Sequence, residues 1–245
     1  MSAGAPLLII LGGINGAGKS TLAREIAEDP PTAHLIFLDP DKIAAEIRRT
    51  RPELSLNAAN FAGLRIVAER TAEMLARRQS FVTETVLASV AHRHLCEKAQ
   101  GSGWQVRLVY IGLPRIEDAI ARVALRVSKG GHAVPEDDIR RRWPRTHENL
   151  AWFARHADAV EVYANAGWYA PPTLVARALA RRVEILDPEC PARRRRGPAP
   201  PGTGCVGRPC TRRNLSLAPE PRGKLRPATF FSKISYLLDF FPLFC

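Results

Sequence analysis

Apolar residues in this chain come in short bursts separated by amphipathic stretches. Residues 7–11 (LLIIL) form a wholly apolar run closed by Gly12 and Gly13, the pattern of a strand buried on both faces. Further bursts at 34–38, 81–83, 106–111 and 159–163 predict four more strands. Helical spacing predicts helices over 19–28, 41–49, 57–79, 90–100, 116–128 and 136–155, with Asp29-Pro30-Pro31 stopping the first. A last helix is expected at about 172–182, followed by a short apolar run at 183–186. Strands that alternate with helices pair in parallel, because each helix carries the chain back across the sheet. The expected fold is a doubly wound α/β three-layer sandwich around a parallel five-stranded sheet.

Composition divides the chain near residue 187. The net charge of +12 is not evenly spread: residues 1–187 carry +4 and residues 188–245 carry +8. The latter segment also holds 10 of the 20 prolines and four of the five cysteines. The chain is therefore expected to comprise a domain over 1–187 and a basic, Pro/Arg-rich, disordered tail over 188–245. The four arginines at 193–196 offer nucleic acid or anionic lipid an electrostatic contact, so any nucleic-acid binding is expected through the tail alone. The favoured reading of so abrupt a shift is a segment without evolved function, as a changed reading frame would produce. No run reaches the roughly 18 apolar residues of a membrane span, and no targeting signal precedes the first strand. With one cysteine, Cys96, in the main body, the expected compartment is the cytoplasm.

The first strand leads into Gly13-Ile14-Asn15-Gly16-Ala17-Gly18-Lys19-Ser20, which matches G-x-x-x-x-G-K-[ST]. Glycines allow the backbone to wrap an anion with successive N–H groups pointing inward, and the following helix adds its positive end. Residues Gly13, Asn15, Gly16, Ala17, Gly18, Lys19, Ser20 and Thr21 are the candidate ATP-binding set. Lys19 would reach the β- and γ-phosphates, and the Ser20 hydroxyl would ligate Mg²⁺.

Three carboxylates follow the next two strands: Asp39, Asp41 and Glu84. In an open parallel sheet, ligands sit beyond the carboxyl ends of the strands, which places all three acids on the edge that carries the phosphate loop. One could accept a proton from an acceptor hydroxyl and another could hold Mg²⁺. Asp39 or Asp41, ahead of an amphipathic helix, is also an ordinary N-cap.

Four separated stretches, GGINGAGKST (12–21), FLDPDKIAAEI (37–47), FVTETVLAS (81–89) and SKGGHAVPEDDIRRRWPRTHENL (128–150), resemble the zeta toxin family of P-loop kinases, over roughly residues 6–187. The resemblance implies a nucleoside-kinase-like fold, ATP and Mg²⁺ as cofactors, a small-molecule hydroxyl acceptor, and an antitoxin as a candidate protein partner. The family's best-known acceptor is the sugar 3′-hydroxyl of UDP-N-acetylglucosamine. Carried over by motif, Lys19 is the phosphate-binding lysine, Asp41 the catalytic base, and Asp39 and Glu84 the substrate-contacting acids. Val86 and Ala88 stand where toxic members have Thr and Arg, which argues against carrying the nucleotide sugar over unchanged.

A basic segment surrounds Gly130-Gly131-His132, where paired glycines suit a hinge. Arginine closing from such a segment neutralises charge on the transferred phosphoryl group. Of the family's two lid arginines, the first aligns with Arg122 or Arg126. For the second, His132 or one of Arg140, Arg141 and Arg142 is the candidate. Asn165-Ala166-Gly167 falls where related kinases approach the adenine. The function expected is ATP-dependent phosphorylation of a hydroxyl acceptor, UDP-N-acetylglucosamine or another sugar or nucleotide. The alternative is an ATP-binding regulatory module with weak catalysis whose tail touches nucleic acid; a polynucleotide 5′-hydroxyl kinase shares the same core chemistry.

Overall fold

A computed structural model describes residues 4–168, 171–179, 182–186 and 213–216. In chain order the elements are β1 (Leu7–Gly12), α1 (Lys19–Glu28), β2 (Ile36–Leu38), α2 (Pro40–Thr50), α3 (Leu56–Arg77), β3 (Phe81–Thr85), α4 (Ala91–Gly101) and β4 (Gln105–Gly112). Then come α5 (Ile116–Ser128), α6 (Glu136–His156), β5 (Ala159–Ala164), β6 (Thr173–Leu179), β7 (Arg182–Ile185) and β8 (Arg213–Ser216). Among the described residues the strands form one sheet in the order β2-β3-β1-β4-β5-β6-β7-β8.

The first five strands in this order are parallel, as the alternation of strands and helices predicts. β1 is central because its whole sequence is apolar. Leu8 and Ile10 face one core, with Met74 of α3, Cys96 of α4 and Phe153 of α6. Ile9 and Leu11 face the other, with Leu22 of α1 and Val123 of α5. Helices thus cover both faces of the sheet, the three-layer arrangement expected.

Residues 172–182 depart from expectation. Instead of a helix they contribute β6, which pairs antiparallel with β5, and β7 extends the sheet antiparallel again. Ala-, Leu- and Arg-rich sequence favours a helix locally. The open edge of β5, with a row of unpaired backbone groups, outweighs that preference. Burial follows a period of two here, with Ala176 and Ala178 buried around half-buried Arg177. The mixed sheet is therefore wider than the five-stranded parallel one. In the tail, residues 213–216 pair with β7 as a strand where disorder is expected, and the rest of 188–245 lies outside the described residues. No helix among the described residues is long and apolar enough to cross a membrane.

The register aligns the carboxyl ends of the parallel strands. Gly12 lies opposite both Thr85 and Tyr110, and Gly112 lies opposite Ala164. The loops after β1, β3 and β5 consequently emerge side by side.

Candidate active site

The loop between β1 and α1 is held by three other parts of the chain. Gly16 (φ 82°) and Gly18 (φ 100°) adopt left-handed conformations that side chains resist. A Cβ at Gly16 would come within 2.8 Å of the Ala119 carbonyl of α5, and one at Gly18 within 2.6 Å of Asn165 Nδ2. Asn165, just past β5, donates through Nδ2 to the Ala17 carbonyl at 2.8 Å. From α6, Arg142 donates to Asn15 Oδ1 at 3.1 Å and to Asp138 Oδ2 at 3.0 Å. Helix α1 starts at Lys19 with no side-chain cap and no acidic residue in its first turn. Its positive end therefore stays available to an anion. Ser20 and Thr21 are exposed on that first turn.

Lys19 is buried, and its Nζ donates to the carbonyl of Gly13 at 3.0 Å and of Ile14 at 3.4 Å. Glu84 Oε1 lies 3.7 Å from the same nitrogen. Burial lowers the Lys19 pKa, and Glu84, Asp41 and Asp39 oppose that shift. Burial raises the Glu84 pKa, opposed by Lys19 and reinforced by Asp39 and Asp41. Burial thus disfavours the charged form of both groups, and the strongest influence opposing it on each is the charge of the other. Asp39 and Asp41 differ in use. Asp39 is buried and caps α2, accepting from the backbone N–H of Asp41 at 2.9 Å and of Lys42 at 3.2 Å. Asp41 is exposed in the first turn of α2, and no described residue hydrogen-bonds its carboxylate.

These groups open on one cleft of ≈ 560 Å³. Asn15, Lys19, Asp39, Asp41 and Glu84 line it together. Asn60, Leu64 and Val67 present one face of α3, and Arg141, Arg142 and Arg145 project from α6. Val86 and Ala88 give the wall beyond Glu84 an apolar surface.

Arg122 and Arg126 lie outside this lining. Arg122 donates to the carbonyls of Asn165 at 3.0 Å and Gly167 at 2.8 Å, with its guanidinium 5.3 Å from the Trp168 ring centroid. It braces the loop after β5. Arg126 donates to the His132 carbonyl at 2.8 Å, which holds the Gly130-Gly131-His132 segment, and its charge is near enough to depress the Lys19 pKa. His132 itself lines the cleft.

Two further residues escape a motif search. The turn after β3 contains Leu87, fully buried and left-handed at φ 60°. Thr85 Oγ1 accepts from its N–H at 3.0 Å. From α6, the Thr146 hydroxyl donates to the Val86 carbonyl at 3.0 Å, and Asn149 Nδ2 donates to the Leu87 carbonyl at 2.7 Å. Arg93 Nε donates to Asn149 Oδ1 in turn. The available signal is that Thr146 and Asn149, both polar, share the apolar face of α6 with Leu150 and Phe153. His92 sits beside this turn, 3.4 Å from Thr85 Oγ1, and burial pushes its pKa down to about 4. Among the described residues no three His, Cys, Asp or Glu side chains are grouped to hold a metal.

Comparison with known proteins agrees with this architecture. The family model described as Zeta toxin matches residues 1–171. An uncharacterized Haemophilus influenzae protein is 35% identical over 133 residues, covering 54% of this chain and 88% of its own length. The structure from the PezAT chromosomal toxin–antitoxin system of Streptococcus pneumoniae superposes with a TM-score of 0.54 at 16% identity, over 67% of this chain and 70% of that one. The AvrRxo1-ORF1:-ORF2 complex solved with ATP superposes with a TM-score of 0.56 at 16% identity, over 72% of this chain and 59% of that one.

Proposed function

The chain belongs to the zeta toxin family, and on that premise we propose that it transfers the γ-phosphate of ATP to a hydroxyl of a small-molecule acceptor. The observation that carries this reading is the convergence of Lys19, Asp41 and Arg142 on one cleft. ATP fits the loop on the structure's own terms. The glycine conformations leave no room for side chains, the helix end is uncapped, and a buried cation lies at the loop's base.

Lys19 would leave the loop carbonyls for the β- and γ-phosphates. Asp41 would orient the acceptor hydroxyl and take its proton. The acceptor oxygen then bonds to the γ-phosphorus as the bond to the β–γ bridging oxygen breaks, and ADP leaves with that electron pair. Glu84 would position the acceptor beside Asp41. Arg142, held by Asp138, would meet the charge on the transferred group, and the field of Arg126 would add to it. Mg²⁺ bound with ATP would neutralise phosphate charge, and the exposed Ser20 hydroxyl is the residue to hold it. Arg122 is assigned to bracing the loop that clamps Ala17. The relation to the PezAT system makes an antitoxin protein the partner class to test.

The decisive experiment is label transfer from γ-labelled ATP. Acceptors would be UDP-N-acetylglucosamine, sugars, nucleosides and a 5′-hydroxyl oligonucleotide, with Lys19→Ala as control. Lys19-dependent label on any acceptor supports the kinase. ATP binding without transfer to any acceptor counts against it.

A further inference from the structure

A second cavity, of ≈ 350 Å³, adjoins the cleft, and the transfer described above does not use it. Asp41, Asn60 and His132 line both spaces, so the two meet at the proposed base. Its floor is one face of α2: Asp41, Ala44, Ala45 and Arg48 follow at i, i+3, i+4 and i+7. The Gly130-Gly131-His132 segment lines it as well.

The charges of this chamber sit at its two ends. Asp41 stands at the mouth. Arg48 stands seven residues along the helix, about 10 Å away at 1.5 Å per residue. Between them α2 offers only the methyl groups of Ala44 and Ala45. Arg48 is exposed and makes no ion pair or hydrogen bond with a described residue. The carboxylate nearest in sequence, Glu46, is already occupied by Arg49 through bonds of 2.6 and 3.0 Å. Arg145 also has no ion-pair partner among the described residues, but it stands on α6 beside Arg141 and Arg142, on the wall that faces the incoming phosphate. Among the described residues that line the chamber there is no Phe, Tyr or Trp on which a nucleobase would stack.

We propose that this chamber is the far half of the acceptor site, and that the acceptor is a polyhydroxylated compound with an oxyanion at one end. Sugar phosphates and sugar acids are the class meant. The reacting hydroxyl lies at Asp41, the carbon chain crosses Ala44 and Ala45, and Arg48 grips the phosphate or carboxylate through its planar fork. The proposal rests on the kinase reading for the role of Asp41, whereas the anion site stands on Arg48 alone.

The test is binding, which separates the two. The full-length chain is first saturated with a non-hydrolysable ATP analogue and Mg²⁺, so that the phosphate loop is filled. Glucose 6-phosphate, ribose 5-phosphate and gluconate are then titrated calorimetrically, alongside glucose, ribose and UDP-N-acetylglucosamine. At least one charged ligand is expected to bind about tenfold or more tightly than its neutral parent. Arg48→Gln removes that preference, and Arg145→Gln keeps it. Equal binding of charged and neutral partners overturns the proposal, as does an Arg48→Gln variant with the wild-type preference or binding of UDP-N-acetylglucosamine alone. Arg48-dependent anion binding without label transfer would support the subsite while counting against the kinase.

Discussion

Asn149 donates through Nδ2 to the carbonyl of Leu87 at 2.7 Å, across 62 residues of sequence. Leucine seldom adopts the left-handed conformation found at this position (φ 60°), and such a residue persists where its surroundings over-determine it. Here the side chain is fully buried, the N–H is tied to Thr85, and the carbonyl is tied to Asn149. Helix α6 thereby joins the two halves of the cleft: Arg142 touches the phosphate loop, and Asn149 touches the turn after Glu84.

Asn149→Ala is expected to cost about 1–3 kcal/mol of stability by leaving the buried Leu87 carbonyl without its donor. Urea unfolding measures this. In the folded variant the acceptor KM rises while ATP affinity holds, because the turn loosens and the phosphate loop does not.

Replacing the two neighbouring aspartates is expected to have different effects. Asp41→Asn is expected to lower turnover by about 100- to 10,000-fold while ATP still binds. Asp39→Ala instead removes a helix cap, at a cost of about 1 kcal/mol, and Asp39→Asn restores most of it. Turnover, calorimetric ATP binding and thermal melts distinguish the pair; an Asp41→Asn enzyme with normal turnover refutes the assignment.

Arg142→Gln is expected to reduce kcat by about 100- to 1,000-fold with little change in stability. Arg122→Ala should act differently, freeing the carbonyls of Asn165 and Gly167 and raising the ATP KM. Steady-state kinetics on both variants separates transition-state from ground-state effects.

His92 makes the fold acid-sensitive. An unfolded chain takes up this proton near pH 6.5 and the folded chain only near pH 4. Stability therefore falls as pH drops through that interval, by roughly 3 kcal/mol in all. His92→Gln is expected to flatten this part of the stability–pH curve, measured by urea unfolding from pH 7 to pH 4; an unchanged curve would place the sensitivity elsewhere.

The phosphate loop was legible because its chemistry is local. Gly16, Gly18 and Lys19 must follow one another at set spacing for the backbone to wrap a phosphate, so the string carries the geometry. The five parallel strands were legible for a similar reason, since a strand buried on both faces has to be apolar along its length. Asp39 was readable as either a cap or a site residue; its bonds to the N–H groups of Asp41 and Lys42 make it a cap, and the same side chain lines the cleft.

What depends on distant partners was not readable. Local propensity points to a helix over 172–182, yet the unpaired edge of β5 makes Thr173–Leu179 a strand. A run of arginines carries no address: Arg142 reaches Asn15 because α6 crosses the loop, while Arg122 is drawn away by two carbonyls beyond β5. Sequence by itself determined the alternation of elements, the phosphate loop and the set of acids on one sheet edge, since each follows from contacts within a few residues or from strand periodicity. Tertiary structure alone decided which arginines line the cleft, which turn is pinned in a left-handed conformation, and that a second chamber opens behind Asp41. Those outcomes are set by hydrogen bonds and packing between segments tens of residues apart, and residue spacing along the chain does not encode them.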